Sequence, residues 1–345
     1  MIGRGWFEAL QSIENRESGL VSHVRRDVCT KRSIPMIAPA KHECDEGWAG
    51  WRYLPGPQRS RVVASAAYLL ILTLLFSGPI TRLMLYAAHS DLHSHILLIP
   101  VITGYLLYVR RQWPSADFRR SIPGSAILGG IGLAALAARM EWRGSLSIND
   151  GFSLIALAYV SFIAAGGFYF LGSKWMAAAA FPVAFLIFMV PLPDAAVNWL
   201  ETASASASAE AAGLFFNLSG TVTVRHGTVF ELPGIVIRVA QECSGIRSSW
   251  VLFMSSLLAS HMFLRTRWRR IVLVAIVIPL GILRNGFRIL VIGLLCVYVG
   301  PQMIDSPIHH RGGPLFFALS LVPLFLLLWW LRRQERRRHL PAEGN

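Results

Sequence analysis

The sequence predicts an all-α polytopic membrane protein of about eight transmembrane helices, with a small extracytoplasmic insertion made of a helix and a β-hairpin. Three observations predict it. Apolar residues make up 54% of the 345-residue chain and charged residues only 15%, whereas a soluble domain carries about a quarter charged residues. Mean hydropathy is positive, at +0.49. Long apolar runs recur from residue 62 to residue 331, and about 20 such residues are needed to cross the hydrocarbon of a bilayer.

Residues 1–61 are polar, mixed in charge and broken by Pro35, Pro39, Pro55 and Pro57. They read as a poorly ordered cytoplasmic extension. No charged-then-apolar leader with a small-residue cleavage site opens the chain, so the first internal apolar run is expected to direct insertion. The expected spans are 62–79, 95–109, 122–139, 151–171, 175–191, 246–264, 271–298 and 314–331, which together form a membrane domain over 62–331. Residues 332–345 follow as a basic cytoplasmic tail.

The formal charge is +14, but its placement argues against nucleic acid as a partner. Arginines cluster in short segments between apolar runs: Arg110, Arg111, Arg119 and Arg120, then Arg265, Arg267, Arg269 and Arg270, then Arg332, Arg333 and Arg336 to Arg338, with Lys174 between two spans. In an eight-span arrangement all of these fall on one side, and Lys/Arg excess marks the cytoplasm. Both termini are therefore expected inside, with 192–245 and 299–313 outside a bacterial inner membrane. Within 192–245, the Ala/Ser-rich stretch Ala203 to Ala212 favours a helix lying at the interface, with a flexible linker as the alternative. Thr221 to Val224 and Thr228 to Glu231 flank Arg225-His226-Gly227 as a hairpin signal.

Four cysteines, at 29, 44, 243 and 296, match no zinc or CxxC spacing. Cys243 stands just before an apolar span, where a helix N-terminus stabilises a thiolate; Arg247, four residues on, is expected on the same helical face. A small buried residue is the plainer reading of that cysteine. Arg288 lies inside a span, where an unpaired arginine is costly and marks a functional candidate. Arg284 is one turn away on the same face; helix packing or snorkelling is the alternative for both. His309 and His310 precede the last span. A thiolate, a fixed cation and an imidazole at the same end of three spans supply a nucleophile, an oxyanion stabiliser and a proton shuttle, the requirements of acyl transfer. A metal site of His89, His93 and His95 has no accompanying HExxH-type motif, and neither metal nor cofactor is expected.

The motifs Cys243-Ser244-Gly245-Ile246-Arg247-Ser248, Asn285-Gly286-Phe287-Arg288, and His309 followed by Gly313 and Phe317 resemble the exosortase/archaeosortase family of membrane-embedded cysteine transpeptidase-like enzymes. Ser94-His95 with Ile99-Pro100, and Arg110-Arg111, agree more weakly. The resemblance covers about residues 62–331. It implies Cys243 as nucleophile, Arg288 as oxyanion or substrate stabiliser, and His309 as general acid/base, with His310 as the fallback. Arg247, Asn285 and Arg284 are secondary candidates. The implied partners are membrane-anchored proteins with a C-terminal sorting signal: a short Pro-containing motif, a transmembrane helix and a basic tail. Glu242 departs from the family pattern, which more often has a small residue before the cysteine; a carboxylate there raises the thiol pKa. The competing function is a non-enzymatic transporter or export subunit, in which Arg288 lines a path and Cys243 is dispensable.

Overall fold

The computed structural model describes residues 56–90, 92–109, 119–239, 245–305 and 313–338. The helices are α1 (Gly56–Leu75), α2 (Ser77–His89), α3 (Ile99–Val109), α4 (Ile122–Glu141), α5 (Ile148–Phe170), α6 (Ser173–Ala178), α7 (Ala180–Phe185) and α8 (Asp194–Leu218). Strands β1 (Val224–His226), β2 (Val229–Leu232) and β3 (Ile235–Arg238) follow, then α9 (Ile246–Phe263), α10 (Arg267–Ala275), α11 (Val277–Tyr298) and α12 (Gly313–Arg338).

The result is an all-α membrane architecture, inside out relative to a soluble protein. Leu70, Ile71, Leu74, Val101, Ile278, Phe325 and Leu326 are all exposed, as lipid-facing residues must be. By length and composition, α4, α5, the run Arg267–Tyr298 and α12 are each able to cross a membrane. Two bent pairs, α1–α2 at 68° and Ala180–Met189 with α8 at 91°, raise the number among the described residues to six, against the eight expected. The shortfall has local causes. Residues 95–109 divide into a short 3₁₀ turn and the 11-residue α3. The expected span 246–264 is the 18-residue α9, which carries Arg247, His261 and five serines and is not among the six. Residues 175–191, which are counted, break into α6, α7 and the 3₁₀ turn Leu186–Met189 before Pro191 and Pro193.

α5 is the centre of the first core. Ser147 caps it by accepting from the Asp150 amide at 3.0 Å, a standard N-terminal satisfaction of a free N–H. Its buried face meets Leu72, Phe76, Leu83, Ile96, Ile99 and Phe185. Tyr68 of α1 donates to the Phe162 carbonyl at 3.0 Å. The first turns of α5 also fasten the proline corner: Asn149 Nδ2 donates to the Leu192 carbonyl at 2.7 Å and to Asp194 Oδ1 at 2.8 Å. Ser153 Oγ donates to the Pro191 carbonyl at 2.8 Å.

The second core joins α8, the sheet and α11 through Phe216, Phe230, Leu232, Ile237 and Ile289. Here the sequence expectation is revised. The Ala/Ser stretch is helical, as expected, and not a linker, but it is part of the longer, 25-residue α8, whose Ala205, Ser208, Ala209, Ala211 and Ala212 are buried. A Cβ added at Gly286 of α11 would sit 2.7 Å from the Ala211 Cβ and 3.0 Å from the Ala212 backbone nitrogen. Small side chains on both helices thus permit close backbone approach, as membrane helix pairs require. The β element is also larger than the expected hairpin. It is a three-stranded antiparallel meander, β1-β2-β3, pairing His226 with Val229 and Leu232 with Ile235, and its first turn falls at Gly227-Thr228 rather than at 225–227. Arg225 closes the meander onto α8 through a two-pronged contact with Glu210, at 2.6 and 2.8 Å.

The third core packs α9 to α12 through Leu252, Leu264, Leu273, Val277, Leu324 and Leu328. Its basic end is organised by one carboxylate. Glu335 of α12 accepts from the amides of Arg265 and Thr266, at 3.1 and 2.8 Å, and pairs with Arg269 at 3.5 Å. The clusters 265–270 and 332–338 therefore share one end of the bundle. At the start of α4, Ser121 N donates to the Phe168 carbonyl and Arg120 covers the Tyr169 ring, so Arg120 lies at the C-terminal end of α5.

Candidate functional site

The site grows from one helical face. Arg284 and Arg288 are four residues apart on α11, hence one turn apart on the same side, and Asn285 adjoins them. Arg284 and Asn285 are buried, Arg288 half-buried. A buried guanidinium needs acceptors, and Arg284 finds two on α9: Nη2 donates to the Gly245 carbonyl at 2.9 Å and to Ser249 Oγ at 3.1 Å. Its Nη1 is buried and has no acceptor among the described residues.

Gly245 is required twice over. It is the N-cap of α9 with φ 70°, a left-handed conformation that costs other residues energy. A Cβ there would also lie 3.0 Å from Arg284 Nη2 and 3.0 Å from Asn285 Oδ1. One turn before Arg284, a Cβ at Gly281 would lie 2.8 Å from Ser249 Oγ. The two glycines let the start of α9 lie directly on α11.

Arg288 lines a small cavity of about 30 Å³ with Asn285, Ile289 and Ile292 of α11 and with Ile237, Arg238 and Val239 at the end of β3. The described chain thus ends at Val239 beside Arg288 and resumes at Gly245 beside Arg284, with residues 240–244 between them in sequence. Cys243 lies within them, outside the described residues, so its expected shared face with Arg247 is untested. Arg247 itself is exposed at the second position of α9. His309 and His310 also lie outside the described residues. The helix that follows them begins at Gly313, and its buried Phe316 meets the Phe287 ring at 6.4 Å between centroids, one residue from Arg288.

The 241-residue match that decides the family spans residues 86–326, about 70% of the chain, and is to the model described as transmembrane exosortase. The chain belongs to the transmembrane exosortase family. No curated protein and no solved structure matches it. In this exosortase-family chain, all three motifs singled out from the sequence fall inside the matched region.

A second cavity, at the start of α9, was not placed from sequence. His93 and His95 line a narrow cavity of about 20 Å³ with Val190, Leu192, Val197, Ile246 and Trp250, at the first turn of α9. From sequence, His93 and His95 belong to a candidate metal set with His89, and His95 also to the weaker family agreement Ser94-His95. Among the described residues no group of three or more His, Cys, Asp or Glu is placed to hold a metal. His89 contacts the Leu85 carbonyl, His93 the Ser90 hydroxyl and His95 the Leu92 carbonyl, at 2.8, 3.0 and 3.1 Å. Burial pushes the His93 imidazole below the usual histidine range, and the Asp194 charge opposes that shift. The signals in sequence were the polar character of 89–95 and the Ser94-His95 agreement with the family; what they pack on is set by the fold.

Proposed function

We propose that this exosortase-family chain is a membrane cysteine peptidase or transpeptidase that cleaves C-terminal sorting signals of exported proteins through a thioester acyl-enzyme. The observation that carries the reading is the Arg284–Gly245 contact. It anchors the motif containing Cys243 against the helix that presents Arg288. Covalent geometry limits two residues of chain to about 7 Å, so Cys243 stays within reach of this face.

In the proposed reaction the substrate helix docks laterally, with its Pro-containing motif near the outer surface of a bacterial inner membrane. The Cys243 thiolate attacks the scissile carbonyl carbon, and Arg288 balances the charge that develops on the carbonyl oxygen. His309, with His310 as fallback, protonates the departing amine as the C–N bond breaks. The thioester is then resolved by water or by an acceptor amine, and the imidazole takes up the nucleophile's proton. Arg284 and Asn285 act as positioning residues for the start of α9. The orientation, with both termini cytoplasmic and the site outside, rests on the arginine asymmetry.

The test is co-expression of a tagged substrate ending in a Pro-containing motif, a transmembrane helix and a basic tail. Wild type is expected to shorten it and Cys243→Ser to leave it whole. Equal shortening by both would exclude Cys243 as nucleophile and favour processing by another enzyme. Intact export function in Cys243→Ala with no shortened product would favour the transporter reading.

A further inference from the structure

A second basic site lies away from Arg284 and Arg288, among α2, α4 and α5. A cavity of about 430 Å³ is lined by Arg82 of α2, by Arg139 at the end of α4, by Arg143 just beyond it, and by Ser147, Ile148 and Gly151 at the start of α5. The volume is that of a small-ligand site. None of the three arginines makes a hydrogen bond or ion pair with a described residue.

Arg139 stands in the last turn of α4, where a cation is favoured, but its guanidinium reaches a second helix end of the opposite preference. It lies over the first turn of α5, where a Cβ on Gly151 would collide with Nη1. A helix N-terminus carries partial positive charge and favours anions, not cations. The acid in that turn, Asp150, is turned to the proline corner, where Oδ1 accepts from the Asp194 amide at 2.8 Å. Three guanidiniums and a helix N-terminus therefore surround one cavity with no described carboxylate paired to them. An anion seated there would relieve every one of these repulsions.

The surroundings say where that anion comes from. Met140, Trp142 and Ile148, next to the arginines, are strongly exposed apolar residues, and Trp is the side chain enriched at membrane–water boundaries. The cavity is also at the end of α4 and α5 opposite Arg120. It shares that end with the proline corner, whose Leu192 lines one cavity with Ile246 at the start of α9. The site thus sits at the boundary of the membrane face on which the Gly245–Arg284 contact lies.

We infer that the cavity formed by Arg82, Arg139 and Arg143 binds the phosphate group of an anionic lipid headgroup. The guanidiniums supply charge-assisted hydrogen bonds to phosphate oxygens, and the exposed apolar residues beside them contact the acyl chains. The inference stands independently of Cys243.

The test uses the full chain in non-ionic detergent, with melting temperature followed as phosphatidylglycerol, phosphatidylcholine or inorganic phosphate is titrated in. Phosphatidylglycerol is expected to raise the melting temperature saturably, and the other two are not. Each arginine changed to Gln should weaken the apparent affinity about fivefold. The triple variant Arg82→Gln/Arg139→Gln/Arg143→Gln should show no saturable shift, while Arg332→Gln/Arg333→Gln at the opposite end should bind within twofold of wild type. Equal shifts with phosphatidylcholine, or an unchanged response in the triple variant, would overturn the site. An equal shift with inorganic phosphate would overturn the lipid assignment in favour of a soluble anion. Should the triple variant not fold, Arg82→Gln and Arg143→Gln, both at exposed positions, decide alone: unchanged affinity in both overturns the proposal.

Discussion

Arg284 Nη2 donates to the carbonyl of Gly245 across 2.9 Å, joining the middle of α11 to the cap of α9. The contact exists because Gly245 has a left-handed backbone and no side chain. Gly245→Ala should therefore lose on both counts, by about 1–3 kcal/mol. The expected readout is a lower melting temperature in detergent together with loss of substrate shortening. Full stability and activity in Gly245→Ala would show that the contact does not position the motif.

The α8–α11 seam depends on the absence of a side chain at Gly286. Gly286→Leu should force the helices apart, at a cost of at least about 2 kcal/mol. Gly129→Ala on α4, where nothing lies within 4 Å of the added Cβ, should be neutral. Limited proteolysis of both variants distinguishes them, and equal resistance would contradict the close packing.

Glu335 caps two amides and pairs with a buried arginine. Glu335→Ala leaves Arg269 buried without that partner and should cost about 3 kcal/mol. Arg269→Ala/Glu335→Ala should cost less than the sum of the single changes. Additive losses in thermal melts would mean that the two residues do not act as a pair.

His93 makes stability depend on pH. Its folded pKa is lowered by burial, with Asp194 opposing, so the folded state binds fewer protons than the unfolded chain. The sign follows: stability is full above the unfolded histidine value of about 6.5 and falls as pH drops through the folded value. Melting temperature should decline between pH 7.5 and 5, and His93→Gln should flatten part of that decline. An identical pH profile in the variant would remove His93 as the cause.

Much of the helical layout was legible, because apolar runs such as 122–139 and 314–331 admit only one physical use at that length. The shared face of Arg284 and Arg288 followed from a spacing of four on a helix. Other features depend on contacts distant in sequence. Ala203 to Ala212 reads as neutral in hydropathy, yet its small side chains are what let α8 lie on Gly286. The bend at the proline corner is held by Asn149 and Ser153, more than 35 residues away in sequence. The third strand, Ile235–Arg238, was legible in principle, because Pro233-Gly234 is a strong turn signal between it and Val229–Leu232. The conformation of Gly245 could be read only once Arg284 and Asn285 were seen against it. Cys243, His309 and His310 lie outside the described residues, so their part rests on motif and chain reach.

The most direct test of the central claim is to trap the acyl-enzyme. Wild-type protein incubated with a sorting-signal substrate, then denatured and digested, should yield a hydroxylamine-labile adduct on the peptide containing Cys243, visible by mass spectrometry. Arg288→Gln should reduce its formation at least tenfold, the loss expected when an oxyanion donor is removed. An adduct on any other residue, or continued substrate cleavage by Cys243→Ser, would contradict the account.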